Sequence, residues 1–404
     1  MKFLHDIPNP KGKTILVRAD LDEPHDGETL RDDYRIRQAL PTIQYLLEHD
    51  AKVIVISKIG RPKKSFDPEQ TLAPAAKRFA ELLNRPFVSI DADLTNASAA
   101  GVLFFTGDIR KPDQIVMVKD APQHSLIVLE NIRFYPEEEN CDPNFAALLA
   151  SLGDYYVNDA FAMSHRTEAS VSMLPKLLPA FAGLELEKEL AALRKLTTMQ
   201  ANPYIAIMGG AKISDKIETI RTLATVADQV LIGGALANLF LKAKGFEIGV
   251  SYCELDKISL AEELLRNFKD KIVLPKDVIV SDPSKQHIAI VSSDSVKPDQ
   301  AIYDIGPKTI LAYARVIKTA KKLVWNGPLG LFEDRSFSTG TMSIGRVFAS
   351  RCQGFAYGVA GGGDTLEAIN IAQIADQMDF VSTGGGAMLD FLAGKTLPGV
   401  AALE

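Results

Sequence analysis

The chain has 404 residues, 47% of them hydrophobic and 24% charged, with a formal net charge of −6. That length exceeds one ordinary core and points to two domains, and the balance of apolar and charged residues excludes a disordered chain. The acidic total excludes the basic footprint of a non-specific nucleic-acid binder, though local basic clusters can still hold small anions.

Cys141, Cys253 and Cys352 are scattered and odd in number, matching neither a metal spacing nor a disulfide framework. They read as reduced thiols. The first residues, Met1 to Pro8, show no long apolar core and no cleavage site, so a cytoplasmic location is expected. The longest apolar-rich segment, 230–241, is too short to span a bilayer. Neither a membrane nor a nucleic-acid partner is expected, and a monomer is.

The first half alternates short β-branched runs with helical patterns, which predicts βαβ units around a parallel sheet. Strands are expected at 14–17, 52–56, 126–129 and 155–157, and charged residues follow each one. Arg18-Ala19-Asp20-Leu21-Asp22 follows the first and Lys58-Ile59-Gly60-Arg61-Pro62 the second. Glu130-Asn131-Ile132-Arg133 follows the third, and the fourth leads through Asn158-Asp159 to His165-Arg166. Ligands of open α/β sheets bind outside the carboxyl ends of the strands. Four such loops would form a basic bowl for a small polyanion, since arginine forks match carboxylate and phosphate. A single loop of this kind would be an ordinary solvated surface; the recurrence is what argues for a site. Residues 88–123 carry no clear pattern and no expected function. The segment 184–198 has the repeat of an amphipathic helix and is expected to join two domains.

The second half opens on Tyr204-Ile205-Ala206-Ile207-Met208-Gly209-Gly210-Ala211-Lys212, continuing to Lys216: a strand, a tight turn and a helix start. Backbone N–H groups and a helix N-terminus in that arrangement hold phosphate. Lys212 and Lys216 are four apart and would share one helical face. Further strands are expected at 229–232, 271–274, 278–280, 322–325, 355–359 and 379–381. Most of them end in glycine turns: Gly233-Gly234, Asn326-Gly327-Pro328, Gly361-Gly362-Gly363-Asp364-Thr365 and Ser382-Thr383-Gly384-Gly385-Gly386. Glycine allows close backbone approach to a ligand. One half offers charged side chains and the other offers backbone, which suggests a small anionic substrate on one domain and a nucleotide on the other.

Gly12-Lys13-Thr14 and Gly394-Lys395-Thr396 resemble a P-loop ending, but Ile7 and Leu389 stand where the upstream glycine is required. No G-x-G-x-x-G, zinc spacing or G-x-S-x-G is present. Asp364, after three glycines and before Thr365, is either a ligand of hydrated Mg²⁺ on nucleotide phosphates or a plain N-cap.

Taken together these motifs resemble the phosphoglycerate kinase family along nearly the whole chain. The similarity rests on Val17-Arg18-Ala19-Asp20, Asp33-Tyr34-Arg35-Ile36, Gly60-Arg61-Pro62, Leu129-Glu130-Asn131-Ile132-Arg133-Phe134 and Val157-Asn158-Asp159-Ala160-Phe161 with His165-Arg166. It continues through Gly209-Gly210-Ala211-Lys212, Trp325-Asn326-Gly327-Pro328, Gly361-Gly362-Gly363-Asp364-Thr365 and Ser382-Thr383-Gly384-Gly385-Gly386, in the family's order.

The resemblance implies an α/β enzyme of two Rossmann-like domains, each a mostly parallel sheet flanked by helices. The expected division is a phosphoglycerate domain at 1–183, a hinge helix at 184–200, a nucleotide domain at 201–385 and a segment at 386–404 returning to the first domain. The implied activity is the phosphotransfer of glycolysis and gluconeogenesis, from 1,3-bisphosphoglycerate to ADP, giving 3-phosphoglycerate and ATP with Mg²⁺. Asp20, Asp22, Arg35, Lys58, Arg61, Arg133, His165 and Arg166 would bind the glycerate. Gly210, Lys212, Lys216, Gly233, Gly234, Asn326, Pro328, Glu333, Gly361, Gly362, Gly363, Asp364 and Thr365 would bind the nucleotide, with Asp364 also on the metal. Arg35, Lys212, Gly384 and Gly385 would stabilise the phosphoryl group in flight. Asp22, Lys58 and Glu168 depart from the family's usual Asn, His and, often, His. The expectation is that Lys58 either neutralises Asp22 or binds substrate; the competing reading points Lys58 to water and has Asp22 cap its own turn. A non-catalytic anion-binding protein is the alternative of a different class.

Overall fold

The computed structural model describes residues 1–23, 25–63, 66–91, 93–98, 100–211 and 216–404. The chain divides into two compact units, Met1–Leu190 with Thr396–Glu404, and Ala191–Lys395.

The first unit is built on seven strands: β1 Thr14–Ala19, β2 Lys52–Ile56, β3 Phe87–Ile90, β4 Val102–Phe105, β5 Leu126–Leu129, β6 Tyr155–Asp159 and β7 Ala180–Ala182. They form one sheet in the order β3-β4-β5-β2-β1-β6-β7. Every pairing in it is parallel. Strands buried on both faces read as continuous apolar runs, and Lys-Val-Ile-Val-Ile of β2 is buried throughout. Helix α1, Tyr34–Glu48, packs on this sheet through Ile36, Ala39, Ile43, Leu46 and Leu47, the stripe of a 3.6-residue period.

Residues 88–123, unpatterned in sequence, contribute to β3, supply β4 and supply a helix, Pro112–Asp120. All four residues of β4 are buried, so it lacks the alternation that marks a half-exposed strand. The helix buries only Val118 and so shows no apolar stripe.

The second unit contains β8 Tyr204–Met208, β9 Gln229–Ile232, β10 Ile272–Val273, β11 Asp277–Ser281, β12 Ala289–Ser292, β13 Ala301–Ile305, β14 Lys322–Asn326, β15 Tyr357–Gly361 and β16 Phe380–Ser382. Six of these make a second sheet, ordered β10-β9-β8-β14-β15-β16, again parallel throughout. The remaining three pair antiparallel as β12-β11-β13.

The division between units falls inside helix α2, Leu184–Thr198, at Leu190. Segment 386–404 is divided as well. Helix Gly385–Leu392 stays with the second unit, where the Leu389 carbonyl accepts from Thr219 Oγ1 at 3.5 Å. From Thr396 the chain belongs to the first unit: Gly399 N–H donates to the Ser164 carbonyl at 2.8 Å, and Asn158 Nδ2 donates to Gly399 O at 3.1 Å. Among the described residues no helix is long and apolar enough to cross a membrane.

Candidate active site

The loops read as a basic bowl follow β5, β2, β1 and β6, and the first unit's sheet sets these strands side by side. Their carboxyl-end loops therefore form one cluster, in the position where open α/β sheets bind ligands.

Within it the charged residues divide by role. Arg18 ends β1 fully buried, with Nε donating to Ser170 Oγ at 3.0 Å and Nη1 to Ala19 O at 2.7 Å. It supports the loops from beneath. Asp20 accepts from Arg35 Nη1 at 2.9 Å. Arg35 is the second residue of α1, and its backbone N–H, one of the donors a helix start leaves unpaired, goes to the Glu23 carboxylate. Asp20 raises the Arg35 guanidinium above its ordinary value against the opposing effect of burial.

Glu23 is a site neighbour that the sequence reading missed, although it lies next to Asp22 and twelve residues before Arg35. Burial pushes its carboxyl up to about 7, with the Arg35 N–H and guanidinium opposing. A carboxyl raised on folding makes the native state bind more protons than the unfolded one, so stability falls as pH rises from about 4.5 through about 7. Glu23→Gln keeps an acceptor for Arg35 without the charge. Its stability relative to the parent is expected to increase from about pH 5 to about pH 8 in denaturant titrations, the other buried carboxyls cancelling in the comparison. A pH-independent difference would refute the assignment.

Lys58 is paired with Asp22, whose other oxygen accepts from Gly60 N–H at 2.8 Å. Burial opposes ionisation of Asp22, but the Lys58 ammonium and the Gly60 N–H outweigh it and hold the carboxyl below its ordinary value. Burial lowers Lys58 in turn, with Asp22 opposing. The two departures from the family pattern thus meet as an ion pair, and the reading that points Lys58 to water and has Asp22 cap its own turn does not describe them. Asp22→Asn and Lys58→His are each expected to weaken the hold of this loop cluster on an anionic ligand, measured by calorimetry. The double variant should recover much of that loss, since residues in contact are non-additive; simple addition would show independence.

Arg61 and Arg166 are exposed on their loops and His165 is half-buried. Arg133, expected to contact substrate, lies largely buried against the Gly60 loop at the border of the cluster. Its side chain is 6% exposed, with Nη1 donating to Gly60 O at 2.8 Å and Nη2 to Glu168 Oε1 at 2.6 Å. Beneath it, Asn131 braces the Gly60 loop by donating to Ile59 O at 2.8 Å and Gln70 O at 2.9 Å. Ser57 does likewise for the β1 loop, accepting from Leu21 N–H at 3.0 Å and donating to Ala19 O at 2.8 Å.

In the second unit the glycine turns follow β9, β8, β14, β15 and β16, which are also neighbours in their sheet. Gly210 at φ +91°, Gly234 at +61°, Gly327 at +90° and Gly362 at +108° lie in the left-handed region that favours glycine. The turns bond to one another: Gly209 N–H to Asn326 O at 2.9 Å, Gly210 N–H to Pro328 O at 2.7 Å, and Gly234 N–H to Leu329 O at 2.8 Å. Gly233 N–H bonds to Met208 O at 2.9 Å. Asn326 donates to Gly361 O at 2.7 Å, and the buried Thr365 hydroxyl accepts from Gly327 N–H at 2.7 Å. These two polar side chains hold the turns to each other.

Lys216 adjoins helix α3, Ile217–Val226, and its ammonium donates to Gly209 O at 2.6 Å, against the first glycine turn. Lys212 lies outside the described residues. Helix α4, Gly234–Ala243, starts at the second turn. A cavity of about 410 Å³ opens beside these turns, lined among others by Gly210, Gly234, Tyr303, Pro328, Glu333 and Asp364. Asp304 also lines it; burial pushes its carboxyl up to about 7, opposed by N–H donors from Gly340 and Ile305.

Asp364 is the exposed second residue of helix α5, Gly363–Ala372, whose N-cap is Gly362. The N-cap reading of Asp364 is therefore set aside, and the residue is one of those lining the cavity. Gly384 caps helix α6, Gly385–Leu392, and its N–H donates to Ser382 Oγ at 3.2 Å. A Cβ on Gly385 would lie 2.7 Å from Gly362 Cα, so these two turns touch.

The phosphoglycerate kinase family model matches residues 4–395. The chain belongs to the phosphoglycerate kinase family. The phosphoglycerate kinase of Desulfosudis oleivorans is 43% identical over 412 residues, covering 100% of this chain and 99% of that protein. That of Coprothermobacter proteolyticus is 41% identical, over 97% of this chain and 96% of its own length. Among solved structures, the Coxiella burnetii phosphoglycerate kinase superimposes with a TM-score of 0.78 at 36% identity, over 98% of this chain and 97% of that one. The Pyrococcus horikoshii phosphoglycerate kinase does so with 0.85 at 32% identity, over 100% and 98%. Family membership makes the chain a glycolytic kinase, a phosphotransferase, on a fold of two mostly parallel sheets flanked by helices.

Proposed function

We propose that the first unit's loop cluster binds 3-phosphoglycerate or 1,3-bisphosphoglycerate and that the second unit's cavity binds ADP or ATP, the phosphoryl group passing reversibly between them. The observation that carries this reading is the separation of chemistries: charged loops on four neighbouring strands of one sheet, glycine turns on five neighbouring strands of the other. Phosphoryl transfer asks a protein mainly for positioning and for positive charge around the equatorial oxygens. Arg61, Arg133, Arg166, His165, Lys58 and Arg35 hold the glycerate, with Asp20 orienting Arg35. Lys216 and the Gly210, Gly234 and Gly361–Gly363 turns line the place of the nucleotide phosphates, the Gly210 and Gly234 N–H groups themselves holding the turns together, and Glu333 holds the ribose. Arg35, Lys212 and the Gly384–Gly385 backbone stabilise the group in flight. The chain acts as a cytoplasmic monomer, with no nucleic-acid or membrane partner.

Among the described residues no group of three His, Cys, Asp or Glu side chains could enclose a metal ion. Asp364, one exposed carboxylate beside the glycine turns, fits a hard cation that keeps water and phosphate oxygens as its other ligands. Mg²⁺ held there with the nucleotide supplies neutralisation of phosphate charge. Asp364→Asn is expected to bring Mg-ADP affinity down to that of metal-free ADP while leaving metal-free ADP binding as it is, measured by calorimetry. A persisting Mg²⁺ effect would place the ion elsewhere.

The whole reading is tested by coupled assays in both directions on folded protein. Absence of turnover with both ATP/3-phosphoglycerate and ADP/1,3-bisphosphoglycerate would refute it.

A further inference from the structure

Glu168 stands between two arginines of the first unit. Its Oε1 accepts from Arg133 Nη2 at 2.6 Å, and its Oε2 faces Arg18 Nη2 at 3.9 Å. The second contact is too long for a hydrogen bond, and both facing atoms, Glu168 Oε2 and Arg18 Nη2, are buried without a hydrogen-bond partner. The three side chains are close to fully buried, at 0%, 6% and 7% exposure for Arg18, Arg133 and Glu168. A buried charged donor and acceptor that form an ion pair but no hydrogen bond are costly. A small shift of the carboxylate toward Arg18 would join them and would loosen its hold on Arg133.

Arg133 is the other half of the arrangement. It borders the loop cluster through Gly60, yet its Nη1 is taken by Gly60 O and its Nη2 by Glu168. An incoming anion meets an arginine whose charge is already answered by a carboxylate. Arg18 does not depend on that carboxylate alone, since Glu138 lies close enough for Arg18 to lower its carboxyl against the larger raising effect of burial, and Ser170 bonds both side chains.

We infer that Glu168 is a switchable counter-ion: it holds Arg133 while the anion site is empty and passes to Arg18 when the phosphate of the glycerate takes Arg133. The inference rests on the reading of the first unit as the phosphoglycerate site. Glu168 then sets the affinity of that site by competing with the ligand for one guanidinium, and the long contact with Arg18, an ion pair without a hydrogen bond, is the place prepared for the displaced carboxylate.

The test uses the full chain and two anions, 3-phosphoglycerate and inorganic sulfate, titrated by calorimetry. Glu168→Gln removes the competing charge and is expected to bind both about tenfold more tightly, the scale of one charge-assisted hydrogen bond. In an Arg133→Gln background the same substitution is expected to change neither affinity, because the contested guanidinium is gone. Equal or weaker binding by Glu168→Gln would overturn the inference and leave Glu168 as a residue that merely positions Arg133. An equal gain in the Arg133→Gln background would overturn it in favour of a general charge effect. Should thermal unfolding show that Glu168→Gln does not fold, Glu168→Asp keeps the charge but shortens the reach. Tighter anion binding is expected of it, and unchanged or weaker binding overturns the inference. A parent protein without kinase turnover would refute the proposed function, whereas the sulfate titrations would still decide the role of Glu168.

Discussion

Arg35→Ala is expected to lower kcat by about 10³-fold, the scale for a positioned cation in phosphoryl transfer, with a much smaller change in KM for 3-phosphoglycerate. The reason lies in how the side chain is held. Asp20 fixes the guanidinium through Nη1 at 2.9 Å, and Glu23 fixes the backbone at the same residue. A cation anchored at both ends of its side chain needs no reorganisation when charge moves onto the transferring group. Alanine removes that charge and leaves Asp20 and Glu23 with fewer opposing contacts. Steady-state kinetics in both directions are the check. A loss confined to KM would make Arg35 a binding residue of the ground state, and a proportional loss of folded protein would make it structural.

Gly209→Ala is expected to disrupt the second unit more than any substitution of a charged residue there. A Cβ at this position would meet Pro328 O at 2.1 Å, Pro328 C at 2.8 Å and Gly327 O at 2.9 Å. All three are backbone atoms and cannot rotate away as a flexible side chain would. The two turns must separate, stretching the bonds from Gly209 N–H to Asn326 O and from Gly210 N–H to Pro328 O. Overpacking of this kind costs about 3 kcal/mol or more, and ADP affinity is expected to fall more than about tenfold because the cavity wall moves. Gly363→Ala is the control: a Cβ there meets no atom within 4 Å, and the residue opens helix α5, where alanine is favoured. Gly363→Ala should fold with parental stability or better. Thermal unfolding of both variants with ADP calorimetry decides this, and a parental melting point for Gly209→Ala would refute it.

Much of this protein is written locally in its chain. The strands at 52–56, 126–129 and 229–232 coincide residue for residue with β2, β5 and β9, because short runs of buried β-branched residues between turns declare themselves within a few positions. The glycine turns are equally legible, since positive φ at Gly210, Gly234, Gly327 and Gly362 is a property of one residue at a time. The ordered set of motifs carried the family assignment. Boundaries were less secure: β1 and β6 each run two residues past the expected ends, into Ala19 and Asp159, because polar residues there are buried by neighbouring strands. The elements within 88–123 had no local signature, for they are defined by what covers them.

Charge state and partnership were decided only by the tertiary structure. Arg18, Arg133 and Arg166 look alike in sequence, each an arginine near a strand end. Folding buries the first, turns the second onto Glu168 and leaves the third exposed. Arg18 meets Ser170 across 152 positions, Arg133 meets Glu168 across 35, and Lys58 meets Asp22 across 36. Local composition determined which residue types stand at the strand ends and therefore the chemistry on offer. Which of those residues face a ligand and which answer one another depends on the order of strands in the sheet, and that order is set by long-range burial rather than by any neighbour in the chain.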